Sequence, residues 1–289
     1  MQIRQIPNAF AGEITDVDLR TIDDKTFKEI ETAIYKYGVV VIRDQKLDND
    51  TQADFARRFG DLDESVRMLR KDNKHRIKSS VIIDVSNLDE NNNTRQKDDR
   101  RRLEMISNMV WHSDRSFRAE RGALSMLFAY AVTPTGGETE FADLRGAYDA
   151  LPQDMKDKID NLRAEHIYAH SRSQMGFPEV TEDETKALPP VQHPLVTRHV
   201  SGRKSLYLGA HASHIVDWFV PDGRLLLHDL TAHATQRQFI YSHKWRVGDL
   251  VIWDNRVTLH RGRPYDESFP RDLRRVTTKD VPAQAQRVA

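Results

Sequence analysis

His112 and Asp114 stand two positions apart in Trp111-His112-Ser113-Asp114. On an extended segment, residues two apart point to the same side. A second histidine, His260, lies far downstream in Leu259-His260-Arg261-Gly262. Two imidazoles and one carboxylate on one face of an octahedron leave the opposite face open, the arrangement of non-haem Fe(II) oxygenases. Taken alone, the His-x-Asp triplet favours a blander explanation, an ion pair or turn at the surface. His260 alone reads as an exposed imidazole. Context shifts the balance. Trp111 and Phe117 offer apolar walls, and a dry shell strengthens a metal site. Arg261 and Arg263 beside His260 disfavour a second positive charge, which keeps an imidazole neutral.

A second set is cationic. In Pro270-Arg271-Asp272-Leu273-Arg274-Arg275, a strand puts Arg271 and Arg275 on one face and Arg274 on the other. A guanidinium grips a carboxylate with two parallel hydrogen bonds, as a dianionic small molecule requires. Thr139, just past the Gly136-Gly137 turn, adds a hydroxyl to the same carboxylate. A basic surface strand without a ligand is the competing reading. His211 and His214, spaced i, i+3, read as loop or rim residues rather than a second metal site.

The elements that must position these groups are mainly strands. Val39–Ile42, Ile82–Ser86, Leu124–Val132, Glu138–Leu144, Lys204–Gly209, Leu250–Asp254 and Arg274–Thr278 are apolar or β-branched runs bounded by turn residues. Helical periodicity marks residues 24–38, stopped by Gly38, then 50–59, stopped by Gly60. Residues 147–162 continue the helical reading, broken near Pro152. In a helix over 222–235, Leu225, Leu226, Leu227 and Leu230 are expected to line one side. Residues 61–109 are dense in charge, with Asn91-Asn92-Asn93 as a turn signal. They read as a solvated loop, or as a flap over a pocket because they directly precede His112. Many strands, few helices and ligands on distant strands suggest a β-barrel or jelly roll. No Gly-, Pro- or Ser-rich linker divides the chain, so one domain over 1–289 is expected.

Composition narrows the function classes. Lys plus Arg and Asp plus Glu are 44 each, which gives no global field for nucleic acid or an anionic membrane. The absence of cysteine removes thiolate metal sites, Fe–S clusters and Cys nucleophiles, leaving 12 His and the carboxylates as metal ligands. Nothing matches a Gly-x-Ser-x-Gly elbow or a phosphate loop. With no apolar leader and no spanning run, a cytoplasmic location without membrane partners is expected.

The motifs together resemble a known family. Trp111-His-Ser-Asp, Gly136-Gly-Glu-Thr-Glu-Phe, Arg145-Gly-Ala-Tyr-Asp-Ala-Leu-Pro, Trp253-Asp-Asn-Arg, Leu259-His-Arg-Gly-Arg and Arg271-Asp-Leu-Arg-Arg follow one another in fixed order. They are similar to the Fe(II)/2-oxoglutarate-dependent dioxygenases typified by taurine dioxygenase and 2,4-dichlorophenoxyacetate dioxygenase. Gly209-Ala-His-Ala-Ser-His and His233-Ala-Thr-Gln look closest to the phenoxyacetate branch. The resemblance implies a double-stranded β-helix (jelly roll) with outer helices. It implies His112, Asp114 and His260 as iron ligands, and O2 and 2-oxoglutarate as co-substrates, with ascorbate as a stimulant. Thr139, 25 residues after Asp114, and Arg271, 11 after His260, then match the grip on the distal carboxylate of 2-oxoglutarate. Arg275 matches the contact to the prime substrate's anionic group, and Asn108 a pocket-lining position. Residues 61–105 match the variable substrate lid.

The expected reaction is hydroxylation of a small anion, an aryloxyacetate cleaved to a phenol and glyoxylate with release of succinate and CO2. Taurine or another sulfonate, an alkyl sulfate or an aromatic carboxylate are the alternatives within the chemistry. A non-catalytic ligand-binding jelly roll is the rival of a different class. A homo-oligomer is expected from the family. Arg100-Arg101-Arg102 and Arg115–Arg121 are the only support for a nucleic-acid partner, and nearby acids counter them.

Overall fold

The computed structural model describes residues 1–65, 75–176 and 180–280. Residues 66–74, within the span expected to form a lid, lie outside this set. The architecture is mainly β with helices packed outside. Seven strands form one sheet, in the order β1 (Gln2–Gln5), β2 (Gly12–Thr15), β3 (Val39–Ile42), β13 (Leu250–Asp254), β5 (Gly122–Ala131), β15 (Asp272–Lys279) and β4 (Ile83–Ser86). Neighbours are antiparallel except the β2–β3 pair. A second sheet holds β12 (Ile240–His243), β6 (Thr139–Asp143) and β14 (Thr258–Gly262).

Alternation explains how the large sheet is covered on both faces. In β3, Val40 and Ile42 join a core with helices α1 (Asp24–Tyr37) and α2 (Asn49–Arg57). Val39 and Val41 join the opposite core with Phe141, Tyr241 and Trp245 of the second sheet region. Strands β5 and β13 split the same way: Met126, Phe128, Leu250 and Ile252 face the helices, and Leu127, Ala129, Val251 and Trp253 face the second sheet. Side chains of period two buried on both faces require an apolar run rather than a mixed pattern, which is why Val39–Ile42 is continuous. The second sheet also has two faces. Phe141 points toward the first sheet, whereas Ala142 and Leu259 join a third core with helix α8 (Val220–Ala234).

The helix boundaries follow their capping chemistry. The Asp23 side chain accepts from Thr26 N at the start of α1, and Gly38 closes it in the left-handed region, φ 78°, with its N–H on Ile34 O. Asp48 and Thr51 form a capping box on α2. Arg145 lies 2% exposed and donates to the carbonyls of Tyr35, Lys36 and Tyr37. These are orphan acceptors at the C-terminus of α1, where a cation is also favoured by the helix dipole. The Arg145-Gly-Ala-Tyr motif therefore ties α4 (Leu144–Asp149) to α1.

Two expectations need correction. Leu225 is 62% exposed, while Leu226, Leu227 and Leu230 are buried. Three consecutive helical residues span most of a turn, so all three cannot share one narrow face. Residues 61–109 are not simply a solvated loop. Strand β4 pairs with β15, Leu62 bridges Thr278, and a helix, α3 (Arg100–Ile106), leads into the site. Arg76 fixes this region by bridging Asp84 and Asp272 at 2.9 and 2.7 Å.

Arg145→Ala is expected to lower unfolding stability by about 2–3 kcal/mol, because hydrogen bonds from a charged donor to buried carbonyls are lost. Urea denaturation measures it, and a shift under about 0.5 kcal/mol would contradict the capping role.

Candidate active site

The predicted ligands meet through backbone pairing. His112 N donates to His260 O at 3.0 Å, and His260 N donates to His112 O at 2.9 Å. Directly opposed antiparallel residues project their side chains to one side, and the two rings lie 4.1 Å apart. Asp114, two residues beyond His112, reaches the same place, and the chain turns away after it at Arg115, φ 59°. Its Oδ1 is 3.9 Å from His112 Nε2, and its Oδ2 is 3.7 Å from His260 Nε2. One donor atom from each of the three lies within 4.8 Å of the others, and all three residues are buried.

Each member is oriented by a neighbour. His112 Nδ1–H donates to Val110 O at 2.8 Å, which turns Nε2 toward Asp114. The His260 ring packs against Trp253 at 4.6 Å and Phe141 at 6.2 Å. Asp114 Oδ2 accepts from Ser125 Oγ at 2.7 Å, and Asp114 Oδ1 pairs with Arg275 Nη1 at 2.5 Å. Asn255 binds this arrangement together. Its Oδ1 accepts from Asp114 N at 3.1 Å and Trp253 Nε1 at 3.0 Å, and its Nδ2 donates to Ser125 Oγ at 2.9 Å. The Trp253-Asp254-Asn255-Arg256 motif thus positions the carboxylate from a different strand. Asp254, in turn, is held by Arg256 and His199.

The electrostatics follow from burial. Burial raises the Asp114 pKa, but Arg275, His260 and His112 outweigh it and hold the carboxyl at about 2. Burial lowers the His112 pKa, and burial with the His112 charge drives His260 well down. At neutral pH the cluster is one carboxylate and two neutral imidazoles. The arginines expected to keep His260 neutral do not face it. Arg261 pairs with Glu140 at 2.8 Å and stacks over Trp111, and Arg263 also turns to Glu140. Arg275 is the arginine that contributes. Trp111 likewise belongs to the helix α8 core rather than the wall of the site. Trp253 is the wall on one side, and Phe117 on the other.

Two cavities meet at the cluster. The first lies between the two sheets and is lined by His112, His260, Thr139, Arg271, Leu127 and Trp253. Arg271 is 7% exposed, donates to Gly137 O at 3.0 Å and lies over the Tyr265 ring. Burial lowers its pKa, and among the described residues no carboxylate pairs with it. Thr139 Oγ1 accepts from Trp245 Nε1 at 3.0 Å. The second cavity is lined by Asp114, Phe117, Tyr168, His211, Met175 and Ile83. Asn108, His112 and Arg275 border both cavities. All seven residues singled out from sequence therefore converge here. Arg274 points away, stacked on Tyr130 and paired with Asp272, as strand alternation requires.

Sequence reasoning missed Asn255, Ser125 and the placement of His211. His211 is buried against Ser116 (3.1 Å) and packs with its ring tilted against Phe117 at 4.8 Å, while His214 turns to Glu165. The two histidines do not converge. The Gly209-Ala-His motif was the only signal, because an i, i+3 spacing carries no information about which cavity a loop faces.

The comparisons agree with this geometry. Residues 2–277 match the family described as "Taurine catabolism dioxygenase TauD, TfdA family". The chain belongs to this TauD/TfdA family, and it is a 2-oxoglutarate-dependent dioxygenase that uses Fe(II). One relative is the "Alpha-ketoglutarate-dependent 2,4-dichlorophenoxyacetate dioxygenase" of Cupriavidus pinatubonensis. It is 45% identical over 273 residues, covering 94% of this chain and 95% of its own. The "(S)-phenoxypropionate/alpha-ketoglutarate-dioxygenase" of Sphingobium herbicidovorans is 32% identical over 274 residues, covering 91% and 90%. The solved structure of AAD-2 in complex with Mn(II) and N-oxalylglycine superposes with a TM-score of 0.91 at 44% identity, covering 97% of this chain and 98% of that one.

Asn255→Ala leaves the buried N–H groups of Asp114 and Trp253 without an acceptor and removes one of the three partners of Ser125 Oγ. It is expected to cost about 3 kcal/mol of stability, against about 1 kcal/mol for Ser125→Ala. Denaturant melts of the two variants test this, and equal costs would mean that Asn255 is not the hub.

Proposed function

We propose that this enzyme hydroxylates a small aryloxyacetate at the carbon next to the ether oxygen. The observation that carries the reading is the pair of cavities joined at the His112–Asp114–His260 cluster. One contains a buried arginine that has no acidic partner among the described residues, and Phe117 and Tyr168 help to line the other. The 45% identity to a 2,4-dichlorophenoxyacetate dioxygenase supports the substrate class. Sulfonates, alkyl sulfates and aromatic carboxylates remain the alternatives, and relatives of 25–27% identity named for sulfate esters keep them in view.

The donor set fits Fe(II). Two neutral imidazoles and an ionised carboxylate are the protonation states that a divalent cation requires, so binding needs no costly deprotonation. Bound there, Fe(II) supplies the activation of O2 that is coupled to oxidative decarboxylation of 2-oxoglutarate. The remaining work falls to the protein. Arg271 and Thr139 grip the distal carboxylate of 2-oxoglutarate. Leu127 and Trp253 keep water from that cavity, which strengthens each charged contact. Arg275, bordering both cavities, attracts the substrate carboxylate, and Asn108 lines the passage beside it. Phe117, Tyr168 and Met175 offer apolar faces to the aryl ring. Positioning then decides which C–H reacts, and an ångström of misplacement costs on the order of 100-fold in rate. The hydroxylated carbon is a hemiacetal, which expels the phenol and leaves glyoxylate.

The proposal includes a single domain over residues 1–289 folded as a double-stranded β-helix, with residues 61–105 as its substrate lid. The face-to-face sheets and the neighbouring solved structures support it. It also includes a homo-oligomer in the cytoplasm. Among the described residues no helix is long and apolar enough to cross a membrane. Arg102 pairs with Glu267, Arg115 with Asp63 and Arg121 with Asp280, so these arginines are spent within the fold rather than offered to nucleic acid.

Succinate release from 2-oxoglutarate, with Fe(II) and ascorbate, is expected to rise on adding an aryloxyacetate, with a phenol appearing in equal amount. Equal rates across aryloxyacetates, sulfonates and alkyl sulfates would remove the substrate assignment. Arg271→Ala is expected to weaken 2-oxoglutarate binding about 10- to 100-fold, the loss of charge-assisted hydrogen bonds. An unchanged titration would refute the grip.

A further inference from the structure

We propose that Trp245 is a positioning residue for the co-substrate. Its indole N–H sets the polarity of the Thr139 hydroxyl, so that the hydroxyl proton points at the bound carboxylate. The inference rests on the reading of Thr139 and Arg271 as the 2-oxoglutarate grip.

The placement follows from strand register. His243, the last residue of β12, faces Thr139 of β6. The chain then carries Trp245 over the same strand, 9% exposed, with its ring edge-on to His243 at 4.6 Å and 90°. His243 is itself held by Tyr241 OH at 3.0 Å and Asp249 Oδ2 at 3.1 Å. The indole therefore has a rigid seat, and its N–H reaches Thr139 Oγ1 at 3.0 Å.

An indole N–H only donates, whereas a hydroxyl has one proton and two lone pairs. Thr139 uses a lone pair on Trp245, and among the described residues its proton has no acceptor. Thr139 is 4% exposed and borders the cavity that contains Arg271. A buried donor seeks an acceptor, and an anionic acceptor makes the bond stronger and shorter. Donation from Trp245 also polarises the hydroxyl, which makes it a better donor. Arg271 is anchored on Gly137 O, two residues before Thr139, so both arms of the grip hang from one turn.

The test is calorimetric titration of 2-oxoglutarate into the Mn(II)-loaded protein. Trp245→Phe keeps the ring and removes the N–H. It is expected to weaken binding about 3- to 10-fold, the worth of one hydrogen bond, with the aryloxyacetate KM unchanged. In the double variant with Thr139→Val, binding is expected to be no weaker than in Thr139→Val alone. Additive losses, or full affinity in folded Trp245→Phe, would overturn the proposal. Full affinity in Thr139→Val would instead remove the grip reading beneath it. Should Trp245→Phe not fold, the Trp245 indole N–H resonance of the Zn(II)-loaded wild type serves. It is expected to shift on adding 2-oxoglutarate, and a static resonance overturns the proposal.

Discussion

The site depends on one pair of backbone hydrogen bonds, those exchanged between His112 and His260. They make the two imidazoles neighbours, and their antiparallel geometry puts both rings on one side. The rest of the fold supports that link from both directions. β14 carries His260 on the second sheet, with Leu259 turned into the helix α8 core. The segment after α3 carries His112 to meet it. Asp114, two residues on, completes the cluster, and its backbone N–H is held by Asn255, just past the end of β13.

Burial makes the cluster chemically ready. An isolated carboxylate between two sheets would be neutralised by protonation. Asp114 stays ionised because the Arg275 guanidinium and the Ser125 hydroxyl favour its charge against the cost of desolvation. The imidazoles respond the opposite way and lose their protons. Arg271 is the complementary case, a buried cation held by the Gly137 carbonyl and the Tyr265 ring. The two arginines of β15 and its approach thus differ: Arg275 is paired with Asp114, whereas Arg271 has no carboxylate partner among the described residues.

Legibility from sequence tracked how local each signal was. The α1 helix, its Gly38 stop and the β3 run were readable because capping, periodicity and β-branching are properties of neighbours in sequence. The alternation of Arg271, Arg274 and Arg275 was also readable, since a strand fixes it. The reading of residues 61–109 as a solvated loop failed because charge density conceals pairing. Arg76, Asp84 and Asp272 satisfy one another inside the fold, which composition cannot reveal. Trp111 was placed on the wrong side of the site for a related reason, as adjacency to a ligand does not say which core a side chain enters.

The sequence by itself determined the kinds of chemistry available: no thiolates, balanced charge, a His-x-Asp triplet, a distant histidine and an arginine-rich strand. It determined the family as well, because many short motifs recur in fixed order. Only the tertiary structure decided which arginine faces His260, that Asn255 and Ser125 hold Asp114, and that His211 borders the second cavity. These depend on contacts between strands far apart in the chain. Such contacts are set by sheet register and two-sided burial, and neither leaves a local imprint on the residues involved.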